Sequence, residues 1–191
     1  MNKILLILGA GGHGKAVAEA ALLSGDWQSV LFLDDRWPQL QESLGFPVVA
    51  DIAELAGACQ QAQAAIVAVG NNALREQWME AVRAVGLPLT TVVHPQACVS
   101  PSAQVGEGCA IMALAMVGVD VRIGSGAIVN AHATVDHDAS LGDFAHLGVG
   151  VQIAGGVHVG ARAWLQAGCC AGYRVVVPDG AQVGPGMALR A

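Results

Sequence analysis

The stretch VNAHATVDHDASLGDFAHL, residues 129–147, carries Val or Leu at every sixth position. The same spacing runs from residue 93 to residue 189, and 16 of its 17 positions are Ile, Val or Leu. The residue four places after each of these positions is nearly always small, and glycine often follows the position directly, which suits a sharp corner. This six-residue repeat predicts a triangular parallel β-helix with three hexads in each 18-residue coil.

The repeat also predicts which side chains meet. Residues 18 apart should stack on successive coils, about 4.8 Å from strand to strand. His137 should therefore lie next to Gly155 and Gly156, and His146 over Trp164. Because glycine has no side chain, we expect open space beside His137.

Residues 1–90 have the alternating pattern of an α/β domain. A buried aliphatic run is followed by a glycine-rich loop, and further strands alternate with helices, which predicts a small Rossmann-like parallel sheet. We therefore divide the chain into an α/β domain, residues 1–90, and an all-β domain, residues 91–191. The predicted strands are 4–8, 30–33 and 65–69, the helices are 15–23, 51–57 and 73–85, a loop runs through Phe46–Pro47, and Asn72 is the N-cap of the last helix.

The composition narrows the possible partners. A mean hydropathy of +0.52 and a net charge of −6 over 191 residues exclude an intrinsically disordered chain. The uncharged stretch of residues 144–161 is interrupted by five glycines and two histidines and is unlike a membrane span. Nine Lys and Arg residues against 15 Asp and Glu residues, with no basic cluster, give no footprint for nucleic acid. Small molecules are the expected ligands.

The cellular compartment is predicted from the first strand and from the cysteines. The run Ile4–Leu8 is too short for the apolar core of a signal peptide, so we expect a cytoplasmic protein. The cysteines show no paired metal-binding spacing, and their odd number argues against a disulfide scheme. We expect reduced, mostly packed thiols at Cys59, Cys98, Cys109, Cys169 and Cys170.

His137 is the first candidate for chemistry. It lies in the segment Thr134–Asp138 at a position that should point outward, with the Asp138 carboxylate beside it and the glycines of the next coil below it. Histidine titrates near neutral pH and a carboxylate can fix its tautomer, so this arrangement suits a general base. The alternative is an ordinary solvated surface histidine.

The loop Gly9–Gly14 is the second candidate. It joins a strand to a helix, so its backbone amides and the helix dipole can hold a phosphate, although the spacing is not the full G-x-G-x-x-G. Asp34 and Asp35 end the next strand, where carboxylates can accept hydrogen bonds from ribose hydroxyls. The alternative for the two aspartates is a solvated charge pair in a loop.

Taken in order along the chain, these motifs resemble the PglD/NeuD-type sugar acetyltransferases. The likeness runs almost from end to end, and the order and spacing of the motifs make it more specific than any one of them. The segments that carry it are Gly9–Lys15, Phe32–Asp35, Gly70–Arg75, Val135–Asp138, Gly142–His146 and Ala154–Val157.

The resemblance implies a left-handed β-helix that holds acetyl-CoA in a groove between the subunits of a homotrimer. It also implies an N-terminal domain that holds a nucleotide-linked amino sugar, with no metal ion. The implied catalytic residues are the base His137 and its partner Asp138. The implied acetyl-CoA contacts are His146, Gly155 and Ala167, with Asn130 nearby, and the implied sugar-nucleotide contacts are Gly11, Gly12, His13, Asp34, Asp35, Gly70 and Asn71.

The family resemblance leaves the acceptor open. The amine of a UDP-linked 4-amino-4,6-dideoxy sugar is the commonest acceptor in the group, while GDP- or dTDP-linked sugars and O-acetylation of sialic acid or a related sugar are alternatives. A non-catalytic sensor of sugar nucleotides is an alternative from another class. Neither the nucleotide base nor the exact sugar is determined by these residues.

The chain departs from the family pattern at two places. Pro185 has no N–H where an amide often meets the cofactor, and only Ala188–Ala191 follow Val183–Met187, so the holding of the adenine end of CoA is undetermined. His132 replaces a small residue, five positions before His137, a spacing also found in β-helix carbonic anhydrases. Such a zinc site needs three histidines, and the third position here is Gln96, with His94 out of register, so we disfavour that function.

Overall fold

A computed structural model describes residues 3–190 and begins with a five-stranded sheet. Its strand order is β3-β4-β2-β1-β5, and all neighbours are parallel except the β3–β4 hairpin. The elements are β1 (Ile4–Leu8), α1 (Gly12–Ser24), β2 (Ser29–Leu33), β3 (Glu42–Ser43), β4 (Phe46–Ala50), α2 (Leu55–Ala58), β5 (Ala64–Val67) and α3 (Asn72–Ala84), with 3-10 turns at Ile52–Glu54 and Cys59–Gln61. The apolar runs of β1 and β5 are buried on both faces, as parallel strands between helices require.

Three local predictions in this domain are wrong. The segment around Phe46 is a strand rather than a loop, because Leu44 and Gly45 adopt φ of 53° and 76° and turn the chain into a hairpin. Helix α1 begins at Gly12, three residues earlier than predicted, and its first turn contains Gly12 and Gly14, whose low helix propensity favours a loop on sequence grounds. The N-cap of α3 is Asn71, whose side chain accepts from the Leu74 N–H at 3.0 Å, while Asn72 is the first helical residue.

The rest of the chain is the predicted β-helix of two-residue strands. Each strand ends on a position of the six-residue repeat. The strands are β6 (Val92–Val93), β7 (Cys98–Val99), β8 (Gln104–Val105), β9 (Ala110–Ile111), β10 (Met116–Val117), β11 (Arg122–Ile123), β12 (Ile128–Val129), β13 (Thr134–Val135), β14 (Ser140–Leu141), β15 (His146–Leu147), β16 (Gln152–Ile153), β17 (His158–Val159), β18 (Trp164–Leu165), β19 (Cys170–Ala171), β20 (Val176–Val177), β21 (Gln182–Val183) and β22 (Ala188–Leu189).

These strands form three parallel sheets, the three sides of the triangular prism of a left-handed β-helix. Sheet 1 contains β7, β10, β13, β16, β19 and β22, sheet 2 contains β8, β11, β14, β17 and β20, and sheet 3 contains β6, β9, β12, β15, β18 and β21. Paired residues are 18 apart throughout, as in Met116 with Thr134, which confirms the predicted register. The repeat positions and the small residues four places later fill the prism, because both point inward.

The α/β domain packs on one side and one corner of this prism. Helix α1 shares a buried apolar cluster with the outer residues of sheet 3, including Ala110 and Ile128. Helix α3 covers the corner between sheets 2 and 3, where a Cβ at Gly126 would lie 2.7 Å from both Met79 and Phe144. Two ion pairs, Arg83–Glu107 and Arg162–Glu76, join the same surfaces at their rim. None of the helices within residues 3–190 is long and apolar enough to cross a membrane.

The five cysteines are free, and only two of them are fully packed. Cys109 and Cys169 are buried at inward positions of the prism, whereas Cys98 and Cys170 are exposed. The expectation of mostly packed thiols is wrong for this second pair, because each of them immediately precedes a repeat position and so faces outward on sheet 1.

Candidate active site

The turn that follows β13 places His137 between two carboxylates at the corner between sheets 1 and 2. Its Nδ1 lies 2.7 Å from Asp138 Oδ2, and its Nε2 lies 3.9 Å from Asp136 Oδ2, beyond hydrogen-bond distance. The hydrogen bond to Asp138 and the charge of Asp136 raise the pKa of His137 above its ordinary value. Since a carboxylate only accepts, the neutral ring carries its proton on Nδ1 and has its lone pair on Nε2. This is the tautomer that a general base needs.

Gly155 forms the floor below this imidazole. A Cβ at Gly155 would lie 2.7 Å from His137 Nε2, so only glycine permits the ring to occupy this place. The neighbouring Gly156 N–H donates to the His137 carbonyl at 2.9 Å, which ties the two coils together. Gly155 is itself buried, and its own N–H donates to no atom of the described residues. A buried, unused N–H beside a general base is suited to stabilising an oxyanion.

His146 lies on the opposite side of the prism, on sheet 3. Its ring is stacked on Trp164 with centroids 5.5 Å apart and an interplanar angle of 12°, which confirms the predicted stacking. Its Nδ1 lies 3.2 Å from the Gly70 carbonyl, and the residue is only 7% exposed. Burial, and next the charge of Arg75, lower the pKa of His146 to about 4. His146 is therefore neutral at pH 7, and its Nδ1–H donates to Gly70.

A cleft of about 600 Å³ opens beside this histidine, between the α/β domain and sheet 3. Gly70 and Asn71 contribute one wall and Trp164 another. The side chain of Asn72, in the same wall, donates to the Arg162 carbonyl at 2.8 Å and so fixes the loop to the prism. The lining residues are Gly70, Asn71, Asn72, Ala73, Arg162, Trp164, Gly180 and Gln182.

The glycine loop meets this region at the carboxyl ends of β1 and β5. Gly9 adopts φ of 105°, and a Cβ there would lie 2.8 Å from Val69, so the two loops are in close contact. Gly11 is the N-cap of α1, and it has no side chain to accept a capping hydrogen bond. A Cβ at Gly11 or Gly12 would meet no atom within 4 Å. An open helix N-terminus at the carboxyl edge of a parallel sheet is suited to binding a phosphate.

The two aspartates after β2 are in different states. Asp34 Oδ2 accepts from the Ala10 N–H at 2.7 Å, and the Arg36 guanidinium donates to both Asp34 oxygens at 2.7 and 2.9 Å. The hydrogen bond from Arg36 lowers the pKa of Asp34 to about 2. Both carboxylate oxygens of Asp34 already accept hydrogen bonds within the protein. Asp35 is exposed and accepts only a long contact from the Ile52 N–H at 3.4 Å. The open carboxylate for a ligand hydroxyl is therefore that of Asp35, while Asp34 holds the glycine loop.

Asn130 and Ala167 lie at the third corner, between sheets 3 and 1. Asn130 accepts from the Ala131 N–H at 2.8 Å, and Ala167 is exposed two coils further along the same corner. His132 is exposed at this corner too, with φ of 58°. His94 is buried, and its Nδ1 accepts from the Gln96 N–H at 3.1 Å. Across residues 3–190, no three His, Cys, Asp or Glu side chains are grouped closely enough to hold a metal ion.

Arg75 is a residue of this region to which the sequence assigned no role. It is completely buried, on the face of α3 that also buries Trp78, Met79 and Val82. The spacing i, i+3, i+4, i+7 of these four residues places the arginine on the apolar face of the helix. This spacing is the feature of the sequence that could have identified Arg75 as a buried residue.

We expect the half-buried His13 and the buried His146 to make the fold sensitive to mild acid. Burial, followed by the charge of Arg75, lowers the pKa of His13 to about 4, as for His146. Between pH 6.5 and 4 the unfolded chain therefore binds more protons than the folded one, and the free energy of unfolding falls as the pH is lowered. Each imidazole contributes up to about 3 kcal/mol to the pH-dependent part of the free energy of unfolding. The two contributions add to less than twice this value, because the charge of Arg75 lowers both pKa values.

Urea unfolding at pH 7.5, 5.5 and 4.5 measures this dependence. His146→Asn should flatten the profile, whereas His132→Asn, at an exposed site, should not. The Asp34 carboxylate affects stability only below about pH 4, outside this window. A free energy of unfolding that stays constant from pH 7.5 to 4.5 would contradict the assignment.

Known proteins match this chain in sequence and in structure. The family model described as "PglD N-terminal domain" matches residues 4–82. UDP-N-acetylbacillosamine N-acetyltransferase of Bacillus subtilis strain 168 is 35% identical over 114 residues, which are 58% of this chain and 52% of that protein. The chain spans about half the length of the curated relatives that it matches.

Two solved structures of other proteins superpose on almost the whole chain. One is the acetyltransferase domain of PglB from Neisseria gonorrhoeae FA1090 in complex with acetyl coenzyme A, with 37% identity, a TM-score of 0.92 and coverage of 100% of this chain and 94% of that one. The other is a variant of perosamine N-acetyltransferase from Caulobacter crescentus in complex with CoA and GDP-perosamine, with 37% identity, a TM-score of 0.91 and coverage of 97% and 90%.

Proposed function

The chain belongs to the PglD/NeuD-type family of sugar acetyltransferases, and on that premise we propose that it transfers the acetyl group of acetyl-CoA to the amine of a nucleotide-linked amino sugar. The observation that carries the proposal is the His137–Asp138 pair above the buried, unused N–H of Gly155. A general base and an oxyanion donor side by side are what acyl transfer needs.

In the proposed reaction, the amine nitrogen attacks the thioester carbonyl carbon while His137 Nε2 accepts the proton that the nitrogen loses. The Gly155 N–H donates to the carbonyl oxygen as it becomes negative, and Asp138 stabilises the imidazolium through Nδ1. The carbon–sulfur bond then breaks, and His137 returns the proton to the leaving thiolate. The products are the N-acetylated sugar and CoA thiol, and no metal ion is required.

We assign the sugar nucleotide to the α/β domain, and the open N-terminus of α1 and the cleft at Gly70 support this assignment. We assign the diphosphate to the Gly11–His13 turn, the ribose to Asp35 and the sugar to the wall formed by Gly70 and Asn71. On the β-helix, acetyl-CoA is assigned to Gly155 and, in the groove toward a neighbour, to His146, Ala167 and Asn130. The free thiols are consistent with a role in the cytoplasm.

We further propose that the enzyme is a homotrimer with active sites between subunits. His137 occupies the corner between sheets 1 and 2, and His146 lies on sheet 3, which is the side opposite that corner. One prism cannot bring the two imidazoles to one acetyl group. A neighbouring subunit can, if its His137 corner faces the cleft beside Trp164.

A thiol-release assay tests the activity directly. Acetyl-CoA is supplied with UDP-, GDP- and dTDP-linked 4-amino sugars and with sialic acid, and free CoA thiol is measured. We expect thiol release with at least one amino sugar. A UDP-linked dideoxy sugar is the acceptor that we expect, since the Bacillus relative is named for a UDP-linked sugar. The GDP-linked sugar is included because the Caulobacter relative binds one. Binding of a sugar nucleotide without thiol release would instead indicate a sensor.

We expect Gly12→Val to weaken binding of the sugar nucleotide alone. The new side chain projects into the open space before α1, where the diphosphate is assigned, so it should raise KM for the sugar nucleotide about tenfold or more. KM for acetyl-CoA and the urea midpoint should stay nearly unchanged. Gly57→Val is the matched control, because Gly57 is also helical with nothing near its Cβ position. Equal changes in both KM values would contradict the division into two binding sites.

A further inference from the structure

Arg75 is a cation enclosed at the junction of the α/β domain and the β-helix. Its Nε donates to the Gly126 carbonyl at 2.6 Å and one Nη2 hydrogen to the Phe144 carbonyl at 2.7 Å, both on the prism. On the other side, Nη1 donates to the Val69 carbonyl at 2.9 Å and Nη2 to Asn72 Oδ1 at 2.9 Å. The guanidinium thus joins the loop 69–72, which forms a wall of the cleft, to two coils of the prism.

This cation has no carboxylate partner. All its acceptors are amide oxygens, and none of the ion pairs among residues 3–190 includes it. Burial lowers its pKa only to about 10, so it is charged at neutral pH. A fixed scaffold for a loop does not require a charge, and an unpaired buried charge is costly. The charge itself therefore calls for a role.

Two buried imidazoles share this enclosed region. His146 donates from Nδ1 to Gly70, whose carbonyl also lies 3.4 Å from Arg75 Nη1. His13 extends from the first turn of α1, and its buried Nε2 has no hydrogen-bond partner in the described part of the chain. The titratable or charged groups that act on His146 are thus Arg75 from α3 and His13 from α1, while the β-helix contributes the uncharged Trp164.

We propose that Arg75 is a positioning residue: its unpaired charge adds to burial in keeping His146 unprotonated in mild acid as well as at neutral pH, so that the imidazole offers Nε2 to the substrates as a hydrogen-bond acceptor. The proposal rests on the proposed function, because it assumes that the substrates meet beside Trp164 and Gly70. The Gly70 carbonyl and the Trp164 indole hold the His146 ring in place. Because the Gly70 carbonyl accepts from Nδ1, the neutral ring carries its proton on that nitrogen. A protonated His146 would present only donors and would repel the ammonium form of an amino sugar.

The effect is a direct consequence of Coulomb repulsion in a poorly solvated place. Burial already disfavours the imidazolium, and a second positive charge that contacts the same Gly70 carbonyl adds to the penalty by about one pKa unit or more. The Arg162–Glu76 pair at the cleft edge carries both signs and largely cancels. Arg75 is thus the buried positive charge within reach of this ring.

NMR titration of the His146 ring in the free protein tests the inference, with the resonance assigned by its loss in His146→Gln. In the wild type we expect a pKa well below 6.5, and a value of 6.5 or above would overturn the proposal at once. Arg75→Lys keeps the charge and should leave the His146 pKa within about half a unit, whereas Arg75→Met should raise it by about one unit or more.

The comparison of the two variants separates charge from packing. If Arg75 only held the loop, both substitutions would loosen it, water would reach His146, and its pKa would rise equally in both, which would overturn the proposal. In turnover assays, Arg75→Met should lose activity below the new His146 pKa, while Arg75→Lys keeps the wild-type acid limb. Because the titration needs no substrate, its result stands or falls separately from the proposed transferase activity.

Discussion

Replacing His137 with alanine should lower kcat for acetyl transfer by about 10²- to 10⁴-fold. The variant loses the Nε2 lone pair that removes the amine proton, while the half-exposed side chain contributes nothing to the core of the prism. The thermal midpoint and the affinity for acetyl-CoA should therefore stay close to those of the wild type. Steady-state thiol release, together with calorimetric binding of acetyl-CoA, measures both.

The control for this substitution is His158→Ala. His158 is another exposed β-helix histidine, hydrogen-bonded to Ser140 at 2.8 Å, and its loss should leave turnover nearly unchanged. Asp138→Asn removes the main cause of the raised His137 pKa, so the acid limb of the kcat profile should move to lower pH as the maximal rate drops. A His137→Ala variant that keeps more than a third of wild-type turnover would show that another group is the base.

The second large effect is recovery of activity in mixed trimers. His137→Ala and His146→Ala should each be severely impaired as pure trimers, because every groove then lacks one imidazole. When the two variants are unfolded together and refolded as a 1:1 mixture, each mixed trimer contains one groove with both imidazoles. Random assembly then restores about a quarter of the wild-type grooves. Thiol release from the mixture, compared with each variant refolded alone, measures the recovery.

The composition of the mixed trimers is checked by native mass spectrometry with one variant carrying a mass tag. Unmixed trimers, combined only after refolding, are the control and should show no recovery. If mixed trimers form and thiol release stays at the level of the separate variants, the two histidines do not serve a shared groove. The inter-subunit site would then be wrong, while the role of His137 would be judged by its own variant.

Much of the β-helix was predictable because its structure repeats. Each hexad places one aliphatic side chain, such as Val135, at the same inward position, and the 18-residue coil then fixes every neighbour between coils. The pairs His137 with Gly155 and His146 with Trp164 follow from that count alone. The division of the chain near residue 90 and the individual binding roles stay predictions.

The α/β domain was less predictable because its details depend on contacts between distant segments. Asn72 has the right residue type for an N-cap, but its side chain is bound to the carbonyl of Arg162, and Asn71 takes the cap. The strand β4 contains Pro47, which argues against a strand, and it forms because it pairs with β2 on one side and with the two-residue strand β3 on the other. The local sequence propensity contains no information about Arg162 as the partner of Asn72 or about β2 as the partner of β4.

The sequence by itself determined the prism and its register, and it predicted His137 as the general base, because a strictly repeated chain brings residues together at a fixed separation. Only the tertiary structure decided the states of the polar groups. It showed that Asp34 is occupied by Arg36 while Asp35 is open, and that His146 is neutral between Gly70 and Trp164. It also showed that Arg75 is an unpaired buried cation. Burial and hydrogen-bond partners set protonation, and both arise from segments that meet only when the two domains pack.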